Sequence, residues 1–199
     1  TVQVRNGKAH VKNGTYLAEG AAGYAVYEAE GIEAAIVLAS RIPAARLGGV
    51  LAMAAADHNC RSSTLPHGSE DEFVSAMMPV LNPAGVQDIL DMGLLGFAMS
   101  RFTGRWVGFK TIAETVESSA SVNVNPHQLD ILMPEDFILP EGGLNIRWPD
   151  PPLNQEMRLH QYAVQAATAF ARANRIDRIV LDSPKARLGI VTTGKSYLD

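Results

Sequence analysis

Val50 to His58 reads VLAMAAADH, and the polar stretch it runs into, residues 57–72, reads DHNCRSSTLPHGSEDE. A short unbroken apolar run between Gly48-Gly49 and Asp57 is the pattern of a strand covered on both faces, because alternation disappears when neither face meets water. Pro79 to Pro83 (PVLNP) is a short extended step between prolines. Pro83 or Ala84 then opens a helix in which Val86, Leu90, Leu94, Phe97 and Ala98 recur at helical spacing, stopping near Thr103-Gly104. Trp106 to Lys110 (WVGFK) is the next strand. Strand, loop, helix, strand is the grammar of a parallel sheet covered by helices, so the fold class is α/β.

Outward from this unit the chain changes character. Residues 1–14 alternate apolar and polar around Asn6-Gly7, a hairpin signal. Residues 15–35 are rich in Ala and Glu and fit a helix interrupted by glycine, and Ile36 to Ser40 (IVLAS) fits another buried strand. Residues 123–152 hold six of the eleven prolines, with Gly142-Gly143 among them. That composition predicts an extended connector whose apolar residues (Leu129, Ile131, Phe137 and Trp148 among them) need a surface to pack on. A long helix follows from about Pro151 to Asn174, with Asp150 as N-cap and proline in the first turn. Arg178 to Asp182 (RIVLD) and Leu188 to Thr193 (LGIVTT) read as two more strands, the beginning of a second α/β unit. The domain expectation is an atypical part over 1–47, an α/β domain over 48–122, a connector and long helix over 123–175, and a new unit from 176.

The bulk numbers narrow the function classes. The 199 residues are 47% hydrophobic, enough for one sizeable core. Net charge is −4 and the basic residues are scattered, which disfavours nucleic-acid binding. No apolar run reaches the roughly 18 residues of a membrane span. Cys60 is the single cysteine, so this chain alone holds neither a disulfide nor an iron–sulfur cluster, which wants about four thiolates. Cytoplasm is the default compartment. The chain opens on Thr1 and closes on Ser-Tyr-Leu-Asp without a cap, and the expectation is a piece of a longer protein.

Two constellations could carry chemistry. Gly189 to Ser196, GIVTTGKS, fits the letters of a P-loop. A phosphate cradle needs a strand before its first glycine and a loop between the glycines. Here a turn precedes Gly189 and strand-forming residues fill the interval, so the pattern reads as a strand between two turns. The polar loop is the stronger candidate. Asp57, His58, Ser62, Ser63, Thr64, His67, Ser69 and Glu70 cluster after a buried strand, where α/β sheets bind ligands. The bland alternative is a loop whose Ser and Asp side chains cap the next helix. Three further readings stay open. One is a hydrolytic triad with Ser62 or Ser63 as nucleophile and His58 or His67 as base, without a G-x-S-x-G elbow. Another is Cys60 as a nucleophile. The last is a His58–His67 metal pair that lacks a third ligand; no metal site is expected.

At this loop the sequence becomes recognisable. LGGVLAMAAADHNCRSSTLPHGSEDEF, MMPVLNPAGVQDILDMGLLGFAMSRFTGRWVGFK, TVESSASV, PEDFILPEGGLNIRWPDPPLNQEMRL and AFARANRIDRIVLDSPKARLGIVTTGKSYLD follow in order. Together they resemble the large fused indolepyruvate ferredoxin oxidoreductases from about Gly48 to Asp199. The resemblance implies a thiamine-diphosphate enzyme, with Mg²⁺, that oxidatively decarboxylates aryl 2-oxoacids. The acyl group passes to coenzyme A, and electrons pass through iron–sulfur clusters elsewhere in the enzyme to ferredoxin. It implies that residues 48–122 are the later part of a pyrimidine-binding domain and that 176–199 start a transketolase-C-like domain. It also implies a homo-oligomer.

For the loop, the resemblance implies that His58 and His67 orient the substrate carboxylate or keto oxygen, with Asp57 holding one of them. Ser62, Ser63, Thr64, Ser69 and Glu70 would face substrate or cofactor. The chain departs from the family pattern at Ala56, where an acid is usual, and at Gly68, where Gln is usual. Neither the glutamate that activates the aminopyrimidine nor the glycine-rich G-K-G-P-G-V-D segment is visible in residues 1–47, and the G-D-G…N segment for diphosphate and Mg²⁺ belongs to another domain. The expectation is therefore that the isolated chain is inactive and binds thiamine diphosphate weakly or not at all. The competing class is a non-catalytic α/β interaction module derived from the same scaffold.

Overall fold

The computed structural model describes residues 2–5, 8–11, 48–125, 129–145 and 150–199. The helix expected within 15–35 and the strand expected at Ile36 to Ser40 lie outside the described residues. At the N-terminus, β1 (Val2–Arg5) and β2 (Lys8–Val11) pair antiparallel, with Arg5 opposite Lys8, as the Asn-Gly signal predicts.

The main unit is a three-stranded parallel sheet. β3 (Leu51–Ala56) leads through the polar loop into the short helix α1 (Glu70–Ser75) and the two-residue strand β4 (Val80–Leu81). Helix α2 (Val86–Thr103) then crosses to β5 (Val107–Ile112), which runs on into the single turn α3 (Ala113–Val116). The strand order is β3-β5-β4, so β5 is central. Leu51 lies opposite Val107, Ala56 opposite Ile112, and Val80 opposite Gly108.

β5 is covered on both faces, whereas β3, expected to be covered on both, lies at the sheet edge among the described residues and leaves Met53 and Ala55 exposed. Val107 and Phe109 join Leu81, Leu95, Ala98, Met99, Ala167 and Phe170 in the larger core, under α2 and the C-terminal helix. On the other face Phe73 of α1 packs with Ala54 and Met78, and its ring lies over Gly108, where an added Cβ would sit 3.1 Å away. Ser100, fully buried, fastens the end of α2 to both strand entrances. Its hydroxyl accepts from the Val50 amide (2.8 Å) and donates to the Arg105 carbonyl (2.6 Å). Gly104 ends α2 at φ +67°, a left-handed cap.

The connector is extended, as its prolines predict, but only part of its apolar surface is covered: Leu132, Ile138 and Leu139 are exposed, and Ile146 and Trp148 lie outside the described residues. Leu129 and Ile131 pack on the larger core, and Phe137 meets Phe102 edge-on at 6.1 Å. Side-chain amides pin it. Asn174 accepts from the Leu132 amide and donates to the Leu132 carbonyl, each at 2.8 Å. Gln87 grips the amide and carbonyl of Asn123 in the same way.

The long helix is present as α4 (Pro152–Arg158), a π-helical turn (Leu159–Ala163) and α5 (Val164–Ala173). Proline occupies its first turn as expected. Its N-cap is Pro151 and not Asp150, whose carboxylate instead receives Arg158 at 2.6 Å.

Residues 178–182 and 188–193 are not strands. They are irregular, and Ile179, Leu181, Leu188, Ile190 and Val191 are exposed. A strand needs a neighbour to take its backbone hydrogen bonds, and no described residue pairs with either segment. The final element is a single 3₁₀ turn, Gly194–Tyr197.

Candidate functional site

The polar loop leaves the C-terminal end of β3 and is folded around Asp57. Its buried carboxylate accepts backbone N–H groups from Arg61 (2.8 Å), Ser62 (2.9 Å) and Ser63 (2.9 Å), and more weakly the Ser62 hydroxyl (3.4 Å). The Ser62 and Arg61 amides, which bind only the charged form well, hold the carboxyl well below the usual range, against the opposing effect of burial. Asp57 was expected to hold an imidazole. Its side chain is instead consumed by the loop backbone, and its link to His67 runs main chain to main chain, each amide donating to the other's carbonyl at 3.1 Å.

The two histidines have different surroundings. The His67 ring folds back onto the strand, with Nε2 3.1 Å from the Ala55 carbonyl. His58 turns toward the centre of the sheet, where its Nε2 meets the ammonium of Lys110 at 2.6 Å. Lys110 also donates to Glu70, and Glu70 Oε1 lies 3.6 Å from His58 Nε2. Burial raises the Glu70 carboxyl, but the hydrogen bond and charge of Lys110, together with the Glu70 and Ser69 amides, leave the group below its ordinary value. The result is a three-membered cluster with a nearly buried cation beneath a half-exposed His–Glu pair.

Lys110 is the member that sequence reading did not single out. It stands opposite Ala54 on the central strand, only 5% exposed. The one available signal was a lysine inside an otherwise apolar strand run, since lysine is almost never buried without a partner. Gly68 belongs to the site too. An added Cβ there would lie 2.6 Å from Glu70 Oε2 and 3.1 Å from His58 Cε1, so its bareness leaves room for the pair. Arg61 and Asn59 brace the loop from outside by reaching Glu114 of α3 at 3.4 and 3.5 Å.

The other candidates fall differently. Ser69 takes the N-cap position of α1, but its hydroxyl caps nothing and is buried without a partner among the described residues, so the capping alternative does not describe the loop. Ser62 and Ser63 turn to Asp57 and make no hydrogen bond to either histidine, which leaves the triad without its nucleophile–base contact. Thr64 is exposed at the loop's rim. The Cys60 thiol donates to the Ser63 carbonyl (2.7 Å) at a residue with φ +53°, a role in loop geometry. In GIVTTGKS, Gly194 packs against the Asn82 side chain and Lys195 pairs with Asp199, so no phosphate nest forms. Among the described residues no three His, Cys, Asp or Glu side chains converge as a metal site, and no helix is long and apolar enough to cross a membrane. In comparisons with known proteins, no family model, no curated protein and no solved structure matches the chain.

Proposed function

We propose that this chain supplies a substrate-facing wall of an enzyme that oxidatively decarboxylates aryl 2-oxoacids such as indolepyruvate to acyl-CoA, with ferredoxin as electron acceptor. The observation that carries the reading is the convergence of His58, Glu70 and Lys110 at the C-terminal end of a parallel sheet, beside a loop locked by Asp57. That is where open α/β sheets take ligands. The sequence resemblance supplies the reaction class.

The chemistry required of these residues is binding and orientation. A 2-oxoacid presents a carboxylate beside a keto oxygen, both acceptors. His58 is half-exposed and can donate to one of them, while His67 lies on the same loop. Thiamine diphosphate would supply the electron sink. The described residues do not fit that group, because no set of acidic or imidazole side chains among them converges to hold Mg²⁺ against a diphosphate. Its cradle would belong to the remainder of a longer, cytoplasmic and homo-oligomeric enzyme.

Titrating the 199-residue chain with indolepyruvate while observing histidine ring signals tests the assignment. The expected result is a response of His58 and His67 that is lost in His58→Ala. Silence from both rings removes the site. Calorimetry with thiamine diphosphate and Mg²⁺ is expected to show no micromolar binding by this chain, and such binding contradicts the division of labour proposed here.

The second reading, a non-catalytic interaction module, is favoured by a different feature. An open, largely apolar groove of about 620 Å³ runs beside β4, lined by Val74, Met77, Val80, Val164, Ala171 and Ile176. A module predicts ligand silence at His58 together with a partner in that groove.

A further inference from the structure

We infer that Lys110 is a positioning residue that fixes the tautomer of His58, so that the imidazole presents Nδ1–H, and not Nε2–H, to a bound oxygen ligand. The inference deepens the proposed site and rests on that reading only in naming the ligand oxygen as that of a 2-oxoacid.

A lysine ammonium has three donors and no acceptor. At 2.6 Å from His58 Nε2 it can only donate, so Nε2 must offer its lone pair. A proton on Nε2 would aim at another donor at hydrogen-bond distance. The ring proton of the neutral imidazole therefore sits on Nδ1. The partner of one ring nitrogen sets the state of the other, which is how a neighbour that never touches the ligand chooses what the ligand meets.

Everything around Lys110 keeps it in this role. Its main chain is paired with Ala54 in the central strand, so its origin cannot shift without disturbing the sheet. Glu70 takes a second ammonium proton, and Glu70 is itself held by the Ser69 amide on Oε2 at 3.0 Å. Lys110 is too buried to reach a ligand directly. The Nδ1 edge of His58 faces Gly68, where a Cβ would stand 3.5 Å from Nδ1, so no side chain at that position covers the donor. Among the described residues none accepts a hydrogen bond from Nδ1. His67 provides the contrast within the same loop. Its Nε2 faces the Ala55 carbonyl, an acceptor only, and so must carry the proton.

The two rings should therefore appear as opposite neutral tautomers in one long-range ¹H–¹⁵N spectrum of the ¹⁵N-labelled full chain, at about pH 8, above the ordinary imidazole range. The expected pattern is protonated Nδ1 for His58 and protonated Nε2 for His67. Lys110→Met should release His58 from the Nδ1–H form and leave His67 unchanged. Lys110→Arg, which keeps donors at that place, should retain the wild-type pattern. Finding His58 as Nε2–H in the wild type overturns the inference without any variant, and so does persistence of Nδ1–H in folded Lys110→Met. If Lys110→Met does not fold, the wild type and Lys110→Arg decide the matter. A chain with the expected tautomers that ignores indolepyruvate would remove the proposed substrate while leaving this inference standing.

Discussion

Asp57 and His67 exchange both of their backbone hydrogen bonds, each 3.1 Å long, and so tie off residues 58–66 as a closed excursion at the end of β3. Inside it the Asp57 carboxylate gathers three successive amides. The loop is thus a built structure with a single charged hub, and His58 projects from a fixed base.

Removing that hub should loosen the loop. Asp57→Asn keeps the volume but replaces one acceptor oxygen by a donor facing amides, so the denaturation midpoint should fall. Ser62→Ala loses only the long 3.4 Å contact and should leave the midpoint almost unchanged. The pH dependence has a definite sign. The folded carboxyl lies below its unfolded value near 3.9, so its contribution is fully present above about pH 5 and is lost as the pH falls further. Midpoints measured from pH 7 downward should therefore decline more steeply in the wild type than in Asp57→Asn. Parallel curves would mean that the carboxylate is not the hub.

Gly68 controls the pair above it. In Gly68→Gln the new Cβ would lie 2.6 Å from Glu70 Oε2, and that flexible carboxylate should swing away from Lys110. Against the cost of burial, Glu70 is held below its ordinary value by Lys110 together with the Glu70 and Ser69 amides, so loss of the Lys110 contact should move its titration up in the variant. Its stabilising effect, present above the unfolded value of about 4.3 and lost on acidification, should shrink accordingly. A ¹³C titration of the Glu70 carboxyl reads this directly. An unchanged curve would show that the pair tolerates a side chain at 68.

What the sequence shows and what it hides follow from physics. β3, α2 and β5 are legible as elements from their apolar pattern, but burial is reported faithfully only at β5: β3 lies at the sheet edge among the described residues with Met53 and Ala55 exposed, and on α2 Leu90 and Leu94 are exposed while Leu95, Ala98 and Met99 are buried. The same pattern misleads at Leu188 to Thr193, because apolar, β-branched composition is a local property while a strand also needs a partner for its backbone. Lys110 is hidden for the reverse reason. Its two partners lie 52 and 40 residues away, and only the sheet brings them together. The hub role of Asp57 is hidden too, since a carboxylate that binds amides and one that orients a histidine look alike in one letter.

Gly104 and Gly143 separate conformational strain from collision. Both have positive φ, +67° and +73°. At Gly143 an added Cβ meets no described residue within 4 Å, so Gly143→Ala should cost only the left-handed penalty of about 1–2 kcal/mol. At Gly104 the Cβ would lie 2.7 Å from the carbonyl carbon and oxygen of Leu144, which is itself buried. Gly104→Ala should therefore be clearly the more destabilising of the two by chemical denaturation. Equal losses would show that the connector at Leu144 yields freely.

Phe170 and Val191 test where the core ends. Phe170 is fully buried in the larger cluster, and its ring centroid lies 6.0 Å from that of Phe102. It joins α5 to the sheet through the same cluster as Val107 and Phe109. Phe170→Ala should cost about 3–5 kcal/mol, the usual loss for an aromatic ring removed from a packed site. Val191 belongs to a run that looks as apolar as any strand in the sequence, yet it is fully exposed. Val191→Ser should change stability by no more than about 0.5 kcal/mol, because no packed atoms lose a neighbour. Denaturation of the two variants side by side discriminates cleanly. A loss at Val191 approaching that at Phe170 would mean that residues 188–193 are covered in solution, and the boundary of the packed unit would move with them.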